Sequence, residues 1–141
     1  MMSQNVQEIR KQAVFNAPIK KVWKAVATAE GIESWFMPND FQPVEGHEFV
    51  IESQYETSRC KVLKVDEPHE VSFTWGEQGW VVTFTLKEVD GKTEFTLVHS
   101  GWGDPDELMR PTTRTQQDVR DTMNGGWEKL VDRALRKAVE N

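Results

Sequence analysis

The stretch Val71-Ser72-Phe73-Thr74-Trp75-Gly76-Glu77-Gln78-Gly79-Trp80-Val81-Val82-Thr83-Phe84-Thr85-Leu86 decides the fold. On either side of the Gly76–Gly79 break, large apolar side chains fall at every second position. A period of two places them on one face of a pleated strand, and a short break between two such runs joins antiparallel neighbours. The pattern extends in both directions. Phe95 and Leu97 alternate with Glu94 and Thr96 and end in His99, and Asp90-Gly91-Lys92 ahead of that run is a hairpin signal. Upstream, Asp66-Glu67-Pro68-His69 follows a run over residues 58–66 that carries Val62, Leu63 and Val65. Before it, Phe49 and Ile51 alternate with Glu48 and Glu52. Consecutive strands joined by short turns predict an antiparallel meander with one apolar and one polar face.

That apolar face needs a cover. Residues from about 111 to 140 bring Val119, Met123, Trp127, Leu130, Val131, Ala134, Leu135 and Ala138 onto one stripe, which predicts a long helix opening at Pro111-Thr112. Such a helix, about 28 residues and roughly 42 Å long, cannot bury its stripe alone, so the sheet must close on it. Gly125-Gly126 in its middle costs about 1 kcal/mol per glycine against Ala. Close approach of the sheet is the leading reading of that pair; a kink facing a ligand is the other. Near the other terminus Gln12–Asn16 reads as a strand, and Pro18 opens a helix through Ile19, Val22, Trp23 and Val26 that ends between Thr28 and Gly31. A short turn of helix then carries Ile32 to Trp35-Phe36-Met37-Pro38.

The 141 residues are expected to form a single domain spanning 1–141, since halves of that length bury too little core. Six Trp and seven Phe against one Tyr suit a deep, water-poor interior. A net charge of −6 with scattered Lys and Arg argues against a nucleic-acid partner. Arg133, Arg136 and Lys137 read as cations complementing the end of a helix. No apolar run approaches the roughly 18 residues of a membrane span, so no membrane insertion is expected. The opening Met1-Met2-Ser3-Gln4-Asn5 has no signal-peptide pattern, and a lone Cys60 fits a reducing cytoplasm.

Three segments resemble the family of activator of heat-shock protein 90 ATPase homologues, within the START-like (SRPBCC) superfamily. They are Phe15-Asn16-Ala17-Pro18 running into Val22-Trp23-Lys24-Ala25, then Gly31-Ile32-Glu33-Ser34-Trp35-Phe36, then Gly125-Gly126-Trp127-Glu128-Lys129-Leu130. They fall in the family's order across nearly the whole chain. The resemblance implies an α+β helix-grip fold: a curved antiparallel six-stranded sheet wrapped around the long C-terminal helix, with two short N-terminal helices closing one end. It also implies a cavity for a hydrophobic small molecule between sheet and helix. The residues expected to face it are Phe49, Ile51, Phe73, Trp75, Trp80, Phe84, His99, Met123 and Trp127, with Trp35, Phe36 and Trp102 at its mouth.

Catalytic and metal patterns are missing from the sequence. His47, His69 and His99 are scattered, with no i, i+4 His pair and no Cys pair for zinc, and no cofactor is expected. His47 and His69 stand beside turns and are expected to face solvent. His99 shares the parity of Phe95 and Leu97 and so points inward, either as a satisfied interior His or as a polar anchor for a ligand. Cys60 lies between Arg59 and Lys61, which lower a thiol pKa when close, although a half-buried strand thiol is the expectation. Asp104-Pro105-Asp106 reads as a turn and a helix start, and Glu52 faces outward. Gly101 and Gly103 flanking Trp102 leave two roles open for that ring, a movable gate or a plug.

Three functions follow. The leading one is a non-catalytic sensor or carrier of a small hydrophobic or aromatic molecule, lipid-, polyketide- or flavonoid-like. The second, implied by the resemblance alone, is a co-chaperone whose partner is a chaperone ATPase. The third is an enzyme acting on a hydrophobic substrate, with His99 as its acid or base.

Overall fold

A computed structural model describes residues 5–53, 57–110 and 112–140. Six strands form one antiparallel sheet in the order β1-β6-β5-β4-β3-β2: β1 Ile9–Phe15, β2 Glu48–Glu52, β3 Thr57–Asp66, β4 Glu70–Trp75, β5 Trp80–Val89 and β6 Lys92–Ser100. Burial follows the alternation. Trp80, Val82, Phe84 and Leu86 of β5 and Phe95, Leu97 and His99 of β6 are buried, with Thr85 and Glu94 exposed between them. The β5–β6 turn has Asp90 at φ 52° and Gly91 at φ 77°. Two positive φ values in succession are the mark of a type I′ turn, whose twist matches that of the strands it joins. β1 starts at Ile9, three residues ahead of the Gln12 that the sequence suggested.

Two short helices follow β1: α1 Ile19–Val26, with Pro18 as N-cap, and α2 Ala29–Trp35. Thr28 separates them, its hydroxyl accepting a hydrogen bond from Gly31 N at 3.0 Å. Gly31 therefore begins a helix instead of ending one. A Cβ there would lie 2.0 Å from the Lys24 carbonyl, so the tight corner between the helices requires glycine.

The C-terminal helix runs from Gln116 to Glu140, as α3 Gln116–Lys129, a π-helical stretch Leu130–Leu135 and a closing α4 Arg136–Glu140. It starts later than the sequence suggested. Pro111 lies outside the described residues, and the chain around it turns back on itself: Thr112 N donates to Met109 O, Met109 N to Arg114 O, and Leu108 bridges Thr115. Only then does Thr115 cap the helix, accepting from Asp118 N at 3.1 Å. The π stretch also has a cause in the sequence. The buried positions Trp127, Val131, Leu135 and Val139 recur every four residues. At 3.6 residues per turn such a stripe drifts by about 40° per step, and the wider i→i+5 turns take up the drift.

Hydrogen bonds from outside the sheet occupy backbone groups at both of its edges. Just ahead of β1, Arg120 donates to Gln7 O and Glu8 O at 3.1 and 3.3 Å, and on β1 itself Arg136 donates to Val14 O at 3.1 Å. Beside β2, Asp40 Oδ1 accepts from Val50 N at 2.7 Å, and Glu52 N donates to Pro38 O at 2.9 Å. Among the described residues no helix is long and apolar enough to cross a membrane.

Candidate functional site

The inward side chains of the sheet meet the C-terminal helix around one polar ring. His99, on β6 between Ile9 of β1 and Val82 of β5, is 0% exposed. Four indoles surround it, with ring centroids at 4.7 Å for Trp80, 4.8 Å for Trp102, 5.6 Å for Trp75 and 6.2 Å for Trp127. Trp127 Nε1–H donates to His99 Nδ1 at 3.0 Å. Trp102 Nε1–H donates to the His99 carbonyl, also at 3.0 Å. Burial holds the imidazole's pKa down to about 3, far below its ordinary 6.5, so the ring is neutral at physiological pH.

Because an indole N–H only donates, Nδ1 must be the acceptor, and the proton of the neutral ring sits on Nε2. That nitrogen has no hydrogen-bond partner. An unmet buried donor costs about 1–3 kcal/mol, partly relieved where it meets an aromatic face.

Each ring named from the sequence can now be placed. Trp35 is buried and donates Nε1–H to Ala25 O at 2.8 Å, which fixes it to α1. Phe36 is half-buried, stacked on Trp127 at 5.2 Å and edge-on to Trp75 at 5.6 Å. Phe49, Ile51, Phe73 and Phe84 are buried, and Phe49–Phe73–Phe84 form a run of edge contacts away from His99. Met123 is half-buried on α3 and packs against the core. Trp102 is a roof over His99: it is buried, hydrogen-bonded and 4.8 Å from Trp80. The rings expected to line a pocket thus touch one another.

Sequence reasoning passed over Phe41, buried edge-on against Phe49 at 5.2 Å, and the half-buried Met109, both in segments with no period to reveal them. Concavities open on the surface among the described residues. One, of about 450 Å³, lies over β2–β4 among Asp40, Glu48, Arg59, Lys61, Thr74 and Glu77, with Phe49 and Cys60 also in its lining; another, of about 270 Å³, lies among Arg133, Arg136, Lys137 and Glu140.

Other expectations change. The sheet does not crowd Gly125 or Gly126, since a Cβ at either meets nothing within 4 Å. Close approach there is overturned; it occurs at Gly31 and at Gly101, where a Cβ would lie 2.0 Å from Gly79 O. Cys60 is buried and its thiol pKa is pushed up to about 11, burial outweighing any effect of the flanking cations. His47 is half-buried and lies parallel to Phe49 at 6.4 Å, while His69 is exposed. Asp106 N donates to Asp104 Oδ1, a turn with no helix following directly.

A sheet closed around one long helix, with a polar ring held between them, defines an α+β helix-grip domain, an architecture of the ligand-binding type. Residues 16–140 match the model of the family described as Activator of Hsp90 ATPase homolog 1-like protein, and the chain belongs to that family. It is similar to BH1534 of Bacillus halodurans, at 44% identity and a TM-score of 0.92, covering 99% of this chain and 100% of that one. MLL2253 of Mesorhizobium loti is 28% identical with a TM-score of 0.78, over 94% and 96% of the two chains. The Aha1 dimer of Colwellia psychrerythraea shares the fold, at 20% identity and a TM-score of 0.77, over 96% and 97%. No curated protein matches the chain.

Proposed function

We propose that this domain is a non-catalytic, cytoplasmic sensor or carrier that takes a small hydrophobic or aromatic molecule, of lipid-, polyketide- or flavonoid-like character, between the sheet and the C-terminal helix. The observation that carries this reading is the buried donor on His99 Nε2 with no partner. A core selected for stability alone gains from an apolar ring at that position. The margin of the core is adaptable. Phe36, Met37, Met109 and Met123 are half-buried against the core, and unbranched thioether side chains re-pack at low cost. A planar ligand enters by taking the place of Phe36 on the face of Trp127.

His99 is poorly suited to acid–base catalysis in this setting. Its pKa of about 3 lies far from any neutral operating pH, and its Nδ1 is committed to Trp127. Membership of a family named for a chaperone activator supports a second reading, that of a co-chaperone.

Titration with lipid-, polyketide- and flavonoid-like compounds, followed by tryptophan fluorescence, tests the first reading. Binding tighter than about millimolar with a clear change in emission is expected, and silence across all three classes refutes it. Stimulation of a purified chaperone ATPase by the protein, with no response to any ligand, would favour the second.

A further inference from the structure

On the solvent side of the C-terminal helix, charges are sorted into rows. The buried row Trp127, Val131, Leu135 and Val139 repeats every four residues, and the π-helical turns keep it straight. The row two positions along, about half a turn away, is straightened with it. It consists of Lys129, Arg133 and Lys137, all exposed.

The neighbouring row neutralises itself. Arg136 lies 2.8 Å from Glu140 Oε2 and 3.9 Å from Asp132 Oδ1, donates to Val14 O at 3.1 Å and sits 5.1 Å over the Phe15 ring. Glu140 Oε2 also accepts from Asn16 N at 2.8 Å. Among the described residues the side chains of Arg133 and Lys137 have no ion pair or hydrogen bond. All four side chains meet at the open concavity of about 270 Å³ lined by Arg133, Arg136, Lys137 and Glu140. Since Arg136 and Glu140 cancel, two positive charges remain there without a counter-charge. The helix dipole accounts for a cation at Lys137, but its effect fades within the last turn, and Arg133 and Lys129 stand well before it. A net charge of −6 does not account for the surplus either.

A carboxylate, with one charge, leaves one of the two cations unmatched. A phosphate monoester carries about −1.5 to −2 at pH 7 and offers three strong acceptor oxygens, so it meets both. We propose that Arg133 and Lys137, beside the fixed guanidinium of Arg136, form a surface site for a phosphate monoester, separate from the interior between sheet and helix.

Glycerol 3-phosphate and acetate, titrated at equal low ionic strength into the ¹⁵N-labelled full chain, test the site. Shifts are expected to concentrate on residues 129–140 and on the Arg133 side-chain N–H, with the ester binding at least fivefold more tightly than acetate. The double variant Arg133→Ala, Lys137→Ala should weaken the ester at least tenfold. Both side chains are exposed, so the strand resonances should not move. Lys87→Ala with Lys92→Ala removes the same charge from the exposed side of the β5–β6 hairpin and should change affinity less than twofold. Sedimentation with phosphatidylcholine vesicles, with and without phosphatidic acid, separates two sources of the ester. Retention that needs phosphatidic acid and is lost in the Arg133, Lys137 variant supports the site and places the ester on a lipid; binding of glycerol 3-phosphate supports it and places the ester on a soluble molecule.

The site is overturned if neither probe binds, if acetate binds as tightly as the ester, or if the Arg133, Lys137 variant binds as wild type does. Shifts spread evenly over exposed lysines elsewhere also overturn it. So does a glutamate-rich peptide that binds the row more tightly than either form of the ester, which would assign the row to an acidic protein.

Discussion

Phe15, Phe95, Phe84, Phe73, Phe49 and Phe41 follow one another through part of the interior, each ring centroid between 5.2 and 5.9 Å from the next. Elsewhere in the same interior, Trp75, Trp80, Trp102 and Trp127 surround His99. The two regions are both buried, but they make different demands. The phenylalanine run contains no polar side-chain atom and needs only complementary shape. The tryptophan region carries N–H groups that must each find an acceptor, and it orients them by pairs such as Trp127 with His99 and Trp102 with the His99 carbonyl. Apolar packing of the first kind serves stability. A polar ring held in place, with one donor left over, is a feature that stability does not explain.

Mutational and pH measurements test that contrast. The largest effect is expected in the phenylalanine run, where Phe84→Ala should lose about 3–5 kcal/mol in urea unfolding and leave ligand preference unchanged. A loss below about 2 kcal/mol would mean that the run is not close-packed. Trp127→Phe removes the lock on Nδ1 and should lose about 2–3 kcal/mol. Its ring ¹⁵N spectrum should then show a mixture of His99 tautomers, a change that Phe84→Ala does not produce.

The third effect depends on pH. The folded pKa of His99, about 3, lies below the unfolded 6.5, so between these values the unfolded chain binds the extra proton and stability falls as pH falls. At about 1.4 kcal/mol per pH unit, His99 should contribute about 2 kcal/mol of lost stability from pH 7 to pH 5. His99→Gln should flatten the profile by that amount; an unchanged profile would show that His99 is protonated when folded. The smallest effect is a gain. Gly126→Ala places its Cβ in open space on α3 and should stabilise by about 0.5–1 kcal/mol. A loss there would reveal a constraint on the helix that packing does not show.

β2, β4, β5 and β6 were legible because their side chains obey a period of two, which β3 breaks at a register shift between Val62 and Lys64, and the parity of His99 with Phe95 and Leu97 placed it inward. The first strand was only half legible. Its buried ends, Ile9 and Phe15, enclose an exposed Val14 and the charges Arg10 and Lys11, so alternation is weak. The start of the long helix was missed although Thr115-Gln116-Gln117-Asp118 carries a capping pattern, because the apolar stripe alone does not say where a helix must begin. The pairing of His99 with Trp127, 28 residues away, arises only when sheet and helix meet. The neutral state of His99 and its spare donor follow from that meeting, so no local pattern announces them.

The occupied sheet edges have a consequence for assembly. A bare edge is a template on which a second copy can add its own strand, and repeated addition gives fibres. Here Arg120 occupies the Gln7 and Glu8 carbonyls ahead of β1, Arg136 occupies Val14 O on it, and Asp40 and Pro38 occupy amides along β2. Copies of this chain therefore cannot readily extend one another's sheet at these positions. Strand-by-strand addition is blunted at the positions where these groups are already taken.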